Sequence, residues 1–275
     1  MPQESPIPYS DLDLATAPKT NLYAFFRYFQ RSSTAKCLET PGYFRWRTTL
    51  PHPWFNGLLV SKPPDAGAGK LIEATKSYFM KQDVGAFTWW LNGEATGADW
   101  ASLLKPRGFH LDANTPGMVA SLAHLPTLPP APKNFTIKSV TNLEEFKTWT
   151  RTFIPGYGLM DFIAPLFYDF GLSLGLNLPF RYYLGCLDGV PVATSTLYLS
   201  PGVAGIYNVA TLPQARGQGL GAAITLAPLL EARRMGYAVG ALQSSEMGYR
   251  VYQRLGFRTV CQMEHFFCSL ENPLA

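Results

Sequence analysis

Charge is scarce in this chain. Asp, Glu, Lys and Arg make up 15% of its 275 residues, and the formal balance of +4 is scattered along the sequence. So weak a cationic field predicts no nucleic-acid partner. Cysteine and histidine are scarcer. Cys37, Cys186, Cys261 and Cys268 form no C-x-x-C pair, and no histidines stand beside them at metal spacing. The expectation is no metal centre, and reduced, mostly buried thiols in a cytoplasmic protein. The opening Met-Pro-Gln-Glu-Ser-Pro has neither the basic nor the apolar region of a secretory signal. Uninterrupted apolar runs are missing too. Between Thr152 and Phe180 the only charges are Asp161 and Asp169, but Pro155, Gly156, Gly158, Pro165, Gly171, Gly175 and Pro179 break the stretch. That is too often for a spanning helix, so no membrane insertion is expected.

Apolar material is plentiful instead. At 47% hydrophobic, the composition excludes disorder. The length suits one large domain or two of ordinary size, as monomer or homodimer. Proline density at Leu125-Pro-Thr-Leu-Pro-Pro-Ala-Pro-Lys133 marks a seam. It divides the chain into an N-terminal lobe (1–125), a linker (126–133) and a C-terminal domain (134–275).

The densest local signal lies at Val209–Ala223. A β-branched stretch, Ile206 to Thr211, runs into a loop holding Arg216 and three alternating glycines, Gly217, Gly219 and Gly221. A helix-forming, alanine-rich segment follows at once. Strand, glycine loop and helix start together build an anion site. Glycines let a ligand approach the backbone, and the first amides of the helix face it with the positive end of the dipole. A phosphorylated cofactor is the natural occupant. No lysine follows Gly221, so this is not a Walker loop. The G-x-G-x-G spacing and the linker Leu212–Arg216 fit a dinucleotide fingerprint poorly, although Glu246 lies near the ribose-acid distance. A dinucleotide-binding oxidoreductase therefore stays open as an alternative.

Arg216-x-x-Gly219-x-Gly221 resembles the pyrophosphate loop of the GNAT superfamily of acyl-CoA-dependent acyltransferases. A second block, Ser244-Ser-Glu-Met-Gly-Tyr-Arg-Val-Tyr252-Gln-Arg-Leu-Gly256-Phe257, resembles that superfamily's closing helix and Gly-Phe turn. Order and interval agree with the same fold. The resemblance implies an α/β (α+β) architecture with a central mixed sheet flanked by helices. The pattern after residue 134 reads accordingly. A strand over 135–140 and a capped helix from Thr141 lead into the apolar segment 152–180. A hairpin over 180–199 then turns at Asp188-Gly189. Next come a strand over 204–211, a helix over 218–236 that Pro228 is expected to kink, a strand over 237–243, a helix over 246–255 and a last hairpin near 257–269. The N-terminal lobe echoes this order: strand 57–61, helix 70–81, strand 86–91, helix 99–105, Gly108-Phe109, strand 118–122. Its loop Lys62–Lys70 lacks the R-x-x-G-x-G spacing. It reads as a degenerate GNAT-like lobe or as an unrelated α/β cap.

The resemblance also implies a chemistry. Main-chain groups of Asn208, Val209, Ala210 and Thr211 would hold the pantetheine arm of acetyl-CoA or a longer acyl-CoA. The amides of Gly217, Gln218, Gly219, Leu220, Gly221 and Ala222, with the charge of Arg216, would hold its pyrophosphate. Tyr252 occupies the position of the acid that protonates the departing thiolate, and the acceptor is the amine of a small molecule or peptide. The general base is not evident. Glu246 is a candidate, but more simply a residue complementing its helix dipole; His265 is more simply structural. On the acceptor side stand Phe153, Tyr157, Phe167, Tyr207 and Gln243. The aromatics of 152–180 point either to an apolar acceptor or long acyl chain, or to a buried interface. A long-chain acyltransferase and a non-catalytic acyl-CoA sensor are the remaining alternatives.

Overall fold

The computed structural model describes residues 13–92, 95, 99–127 and 132–270. The opening hexapeptide and residues 128–131 of the proline-rich stretch lie outside them. The chain forms two compact units that interleave along the sequence, one of residues 1–25 and 116–261, the other of 26–115 and 262–275.

Helix α1 (Ala17–Tyr28) opens the described chain. In the unit that follows, β1 (Lys36–Glu39), β2 (Tyr43–Arg47) and β3 (Gly57–Val60) pair antiparallel in succession. From β3 the chain passes through α2 (Ala68–Lys81) to β4 (Ala86–Leu91), which pairs parallel to β3. Helix α2 forms because Ala68, Ile72, Thr75 and Phe79 recur on one buried stripe. The short helix α3 (Trp100–Leu104) then leads through Gly108, at φ +84°, into β5 (Phe109–Ser121). Ile72, Phe79, Phe87, Trp89, Phe109 and Phe266 share this unit's core. The strand–helix–strand–helix echo is therefore present, preceded by a β1–β2 hairpin that the sequence reading did not contain. The strand expected over 118–122 begins nine residues earlier, at Phe109.

The other unit takes up β5 from Pro116 onward. It adds β6 (Phe135–Ser139), α4 (Leu143–Tyr157), α5 (Ile163–Leu174), β7 (Phe180–Leu187), β8 (Val190–Ser200), β9 (Val203–Thr211), α6 (Leu220–Arg234), β10 (Val239–Gln243) and α7 (Glu246–Arg254). Its strands run in the order β5-β10-β9-β8-β7-β6. Only β9 and β10 pair parallel; their neighbours are antiparallel. Asp188 and Gly189, at φ +52° and +77°, close the β7–β8 hairpin as their sequence demands. Asn142 caps α4 by accepting from the Glu145 amide at 2.9 Å, and Glu145 reaches back to the Thr141 amide at 2.9 Å. Helices α4 and α5 bury an aromatic layer of Phe146, Trp149, Phe153, Phe167 and Tyr182.

Pro228 lies within α6 and removes the amide that would bond the carbonyl of Ile224. Ser195 of β8 donates its hydroxyl to that carbonyl at 2.7 Å, both groups buried. The helix interruption is thus satisfied by the sheet beneath it. One expectation is corrected. Residues 258–269 form a single strand, β11 (Arg258–Ser269), not a hairpin. From His265 to Ser269 this strand pairs antiparallel with Trp90–Ala86 of β4, inside the unit of residues 26–115 and 262–275. A run lacking a turn residue has no local reason to reverse.

Candidate functional site

The parallel pair β9–β10 does not stay paired. Val203, Ala204 and Gly205 face Val239, Gly240 and Ala241, and there the ladder stops. Strand β10 continues alongside β5, down to Gln243 opposite Gly117. Strand β9 follows β8 instead, to Thr211 opposite Ala193. Beyond Gly205 the β9 edge on the β10 side therefore has no strand partner, leaving main-chain groups available to an extended ligand.

A bulge reinforces the divergence. Between Tyr207 and Ala210 the register against β8 slips by one residue, and Asn208 sits at φ +51°. Asparagine tolerates that left-handed conformation better than β-branched neighbours would. Thr194 donates to the Asn208 carbonyl at 3.0 Å, and the Asn208 amide donates to Thr196 at 3.1 Å. Asn208 is thereby held to β8 by both its carbonyl and its side chain.

At the end of β9 a turn at Pro213–Ala215 delivers the glycine loop. Gly217 and Gly219 take φ +79° and +78°, and no atom lies within 4 Å of a Cβ placed on either. Their requirement is conformational rather than steric. Leu220, Ala215 and Val192 pin the loop from beneath. The amides of Ala222 and Ala223 both donate to the Gly219 carbonyl at 3.1 Å. Ala222, expected among the pyrophosphate donors, is thus engaged in the first helical turn. The amides of Gly217, Gln218, Gly219, Leu220 and Gly221 have no acceptor among the described residues. Five open N–H groups at the positive end of a 15-residue helix form an anion cradle.

Arg216 does more than lend charge. Its guanidinium donates to the Thr211 carbonyl at 3.0 Å and to the Gly156 carbonyl at 3.1 Å. It ties the end of β9 to the last turn of α4, where a Cβ on Gly156 would lie 3.1 Å from that of Ala210. The side chain remains exposed.

Tyr252 stands on α7. Ser245 caps this helix by accepting from the Gly248 amide at 3.2 Å. A Cβ on Gly248 would lie 2.6 Å from a Tyr252 ring carbon, so only glycine leaves the phenol its place over the first turn. Tyr252 is 8% exposed; burial, and secondarily Tyr157, pushes its pKa above the usual phenol value. Tyr157, the last residue of α4, is 41% exposed, yet burial raises its phenol too. Glu246 is exposed in the first turn of α7.

Other expected residues are placed differently. Phe153 and Phe167 are 2% and 4% exposed within the aromatic layer, so they belong to the core. Tyr207 donates to Asn21 of α1 at 2.6 Å and stacks on Phe25 at 4.3 Å. Gln243 donates to the Pro18 carbonyl at 3.2 Å. Burial raises the Tyr207 phenol, an effect the Gln243 hydrogen bond opposes. Asn21, fully buried, also donates to Ser200 at 2.7 Å and occupies the space a side chain on Gly205 would need. Helix α1 thus covers the point where β9 and β10 part, a role the sequence reading missed.

His265 is buried and stacks on Trp90 at 4.2 Å, in keeping with a structural role. Glu231 accepts from Tyr183 at 2.7 Å and pairs with Arg181, which commits its carboxylate to α6–β7 packing. The four cysteines are free thiols; burial raises Cys37 and Cys268 to about 11, which keeps them protonated. Among the described residues, no three metal-ligating side chains cluster and no helix is long and apolar enough to cross a membrane.

Residues 145–257, which span β9, the glycine loop and α7, match the family model described as Acetyltransferase (GNAT) family. The fold is similar to that of a GCN5-related N-acetyltransferase from Kribbella flavida, with TM-score 0.69 and 20% identity over 92% of this chain and 95% of that one. A GCN5-related N-acetyltransferase from Sphaerobacter thermophilus gives 0.65 and 13% over 94% and 90%. A tandem GNAT protein from the clavulanic acid biosynthesis pathway gives 0.55 and 13% over 98% and 91%. At such identities the likeness is one of fold. It extends through both units, so the N-terminal lobe shares in that likeness of fold. No curated protein matches the sequence.

Proposed function

We propose, from the premise that residues 145–257 form a GNAT-family acetyltransferase domain, that the chain moves an acetyl group from acetyl-CoA to the amine of a small molecule or peptide in one direct step. The observation that carries this reading is the row of five open amides, Gly217 to Gly221, beside the unpaired edge of β9. A pyrophosphate fits the amides. An amide-bearing arm such as pantetheine fits the edge, as an added strand would.

Bound there, acetyl-CoA supplies a thioester already activated toward amines. The protein's share is then to position the reactants and manage two protons. Main-chain groups of Val209, Ala210 and Thr211 hold the arm. Arg216 adds charge beside the pyrophosphate while fixing the end of α4. As the amine nitrogen bonds to the carbonyl carbon, the carbon–sulfur bond breaks and the thiolate leaves. Tyr252 gives it a proton, and the proton surrendered by the amine returns to the Tyr252 phenolate through water. Burial keeps the Tyr252 phenol neutral, the form that donates.

Calorimetric titration with acetyl-CoA, coenzyme A and palmitoyl-CoA tests this reading. Saturable binding of acetyl-CoA is expected, weakened about 100-fold in Arg216→Glu by charge reversal and loss of the β9–α4 tie. Preference for palmitoyl-CoA would replace the donor assignment, and binding of none would overturn it.

A further inference from the structure

Helix α1 crosses the sheet at the place where β9 and β10 part. Near its start Pro18 lies against β5, 3.1 Å from a Cβ placed on Gly117, and its carbonyl accepts from Gln243, the last residue of β10, at 3.2 Å. Three residues on, the side-chain oxygen of Asn21 stands where a Cβ on Gly205 would need to be, and Gly205 is the last β9 residue paired with β10. Three more bring the Ala24 carbonyl to the Tyr198 hydroxyl of β8, at 2.9 Å. The helix thus grips β10 on one side of the fork and β9 and β8 on the other. Glycines stand in the strands where a side chain would strike it.

Asn21 commits every polar atom of its side chain to this fork. Its amide nitrogen donates to Ser200 Oγ at 2.7 Å and to the Val203 carbonyl at 3.3 Å, and its oxygen accepts from the Tyr207 hydroxyl at 2.6 Å. The residue is fully buried. A buried amide with all its partners fixes one arrangement, because any other would leave a donor or acceptor bare. Tyr207 is what this arrangement holds. It faces Thr196 in register with β8, stacks on Phe25 at 4.3 Å and directly precedes Asn208, whose left-handed backbone opens the bulge. Val209, Ala210 and Thr211, proposed to carry the arm of the coenzyme, follow at once. An uncovered strand edge readily takes another strand as partner. Tying Tyr207 to Asn21 and Gln243 to Pro18 fixes each strand just where the ladder between them has ended.

We infer that Asn21 is a positioning residue for the coenzyme: without touching the ligand, it holds β9 through Tyr207 so that the edge from Val209 to Thr211 stays open and in place for the arm. This assignment rests on the acetyl-transfer reading and adds to it a residue outside the 145–257 domain. A role confined to docking α1 would be shared by its other contacts with the sheet, and the bond from Tyr198 to Ala24 supplies the comparison.

The test is calorimetric titration of the full chain with acetyl-CoA, with the melting temperature of each variant measured alongside. Asn21→Ala and Tyr207→Phe should each weaken binding about ten-fold. The double variant should bind no more weakly than Asn21→Ala alone, since both substitutions cut the same hydrogen bond. Tyr198→Phe cuts the bond to Ala24 instead. It should lower the melting temperature by as much as Tyr207→Phe does, a few degrees, and leave affinity within about two-fold. Tyr207→Phe removes a single oxygen, so it carries the test should Asn21→Ala fail to fold. Undiminished affinity in either folded single variant overturns the inference. So do losses that multiply in the double variant, or an equal loss of affinity in Tyr198→Phe. If the unaltered chain does not bind acetyl-CoA, the acetyl-transfer reading fails first and the inference falls with it.

Discussion

Each of the two units contains a parallel strand pair joined through a loop and a helix, β3–α2–β4 in one and β9–α6–β10 in the other, and the two differ at every point that matters for a ligand. All four residues of β3, Gly57 to Val60, pair with β4. Only three of the nine residues of β9 pair with β10. Before α2 the loop turns on Gly67 at φ −88°, which any residue could adopt. Before α6 it turns on Gly217 and Gly219 in the left-handed region. Asp65 occupies the start of α2 with its own carboxylate, accepting from the Gly67 amide at 2.7 Å, while its carbonyl accepts from Ala68 at 3.0 Å. The start of α6 has five amides open. One architecture is thus closed on itself by a carboxylate and a continuous ladder, and the other is left open to an anion and an extended arm.

The largest effect should come from closing the open loop. Gly219→Val places a β-branched residue at φ +78°, a conformation costing about 1–3 kcal/mol, and sets methyl groups beside the cradle. Acetyl-CoA affinity should fall about 1,000-fold by calorimetry. Gly69→Ala in α2 meets only an Arg107 nitrogen at 3.5 Å and should leave binding intact, raising stability by up to about 1 kcal/mol. Equal effects of the two substitutions would break the comparison.

A middle-sized effect concerns α7. Tyr252→Phe should lower kcat about 100-fold with acetyl-CoA affinity unchanged, if the hydroxyl acts on the leaving group as proposed. The pH dependence follows from the direction of the shift. A raised phenol pKa keeps the donating form populated as pH rises, so kcat should show no alkaline fall from this group below about pH 10. An alkaline limb below pH 9 that vanishes in Tyr252→Phe would contradict the burial argument. Full turnover by the variant would remove the acid role altogether.

Much of the open unit was legible because its determinants are local. Alternating glycines, an Asp-Gly turn and a serine cap each fix a conformation within a few residues. The divergence of β9 from β10 was not legible, for it depends on contacts without local signature. Asn21 fills the space above Gly205 and bonds Ser200, 179 residues away. The bulge at Asn208 left one faint mark, an asparagine inside a β-branched strand, and its meaning emerges only from the register with β8. Phe153 and Phe167 read as well as ligand contacts as they do as core, because an aromatic serves both. The chain's interleaving, with the end of β11 beside β4, rests on pairings of high sequence separation that no motif announces.

The smallest effect is the sharpest for the comparison. Asp65→Ala removes the carboxylate that meets the Gly67 amide, a hydrogen bond worth about 1 kcal/mol. If an anion cradle were the whole of a coenzyme A site, freeing the Gly67 amide at the start of α2 would favour a second one, and titration would approach two equivalents. The pairing of β3 with β4 argues otherwise. With every residue of β3 engaged, no edge remains for the arm, and the pyrophosphate alone binds weakly against solvent. Stoichiometry should stay at one in the variant, with only the melting temperature falling by a few degrees. A second binding event would show that the loop suffices and that the parting of β9 from β10 serves the chemistry rather than the affinity.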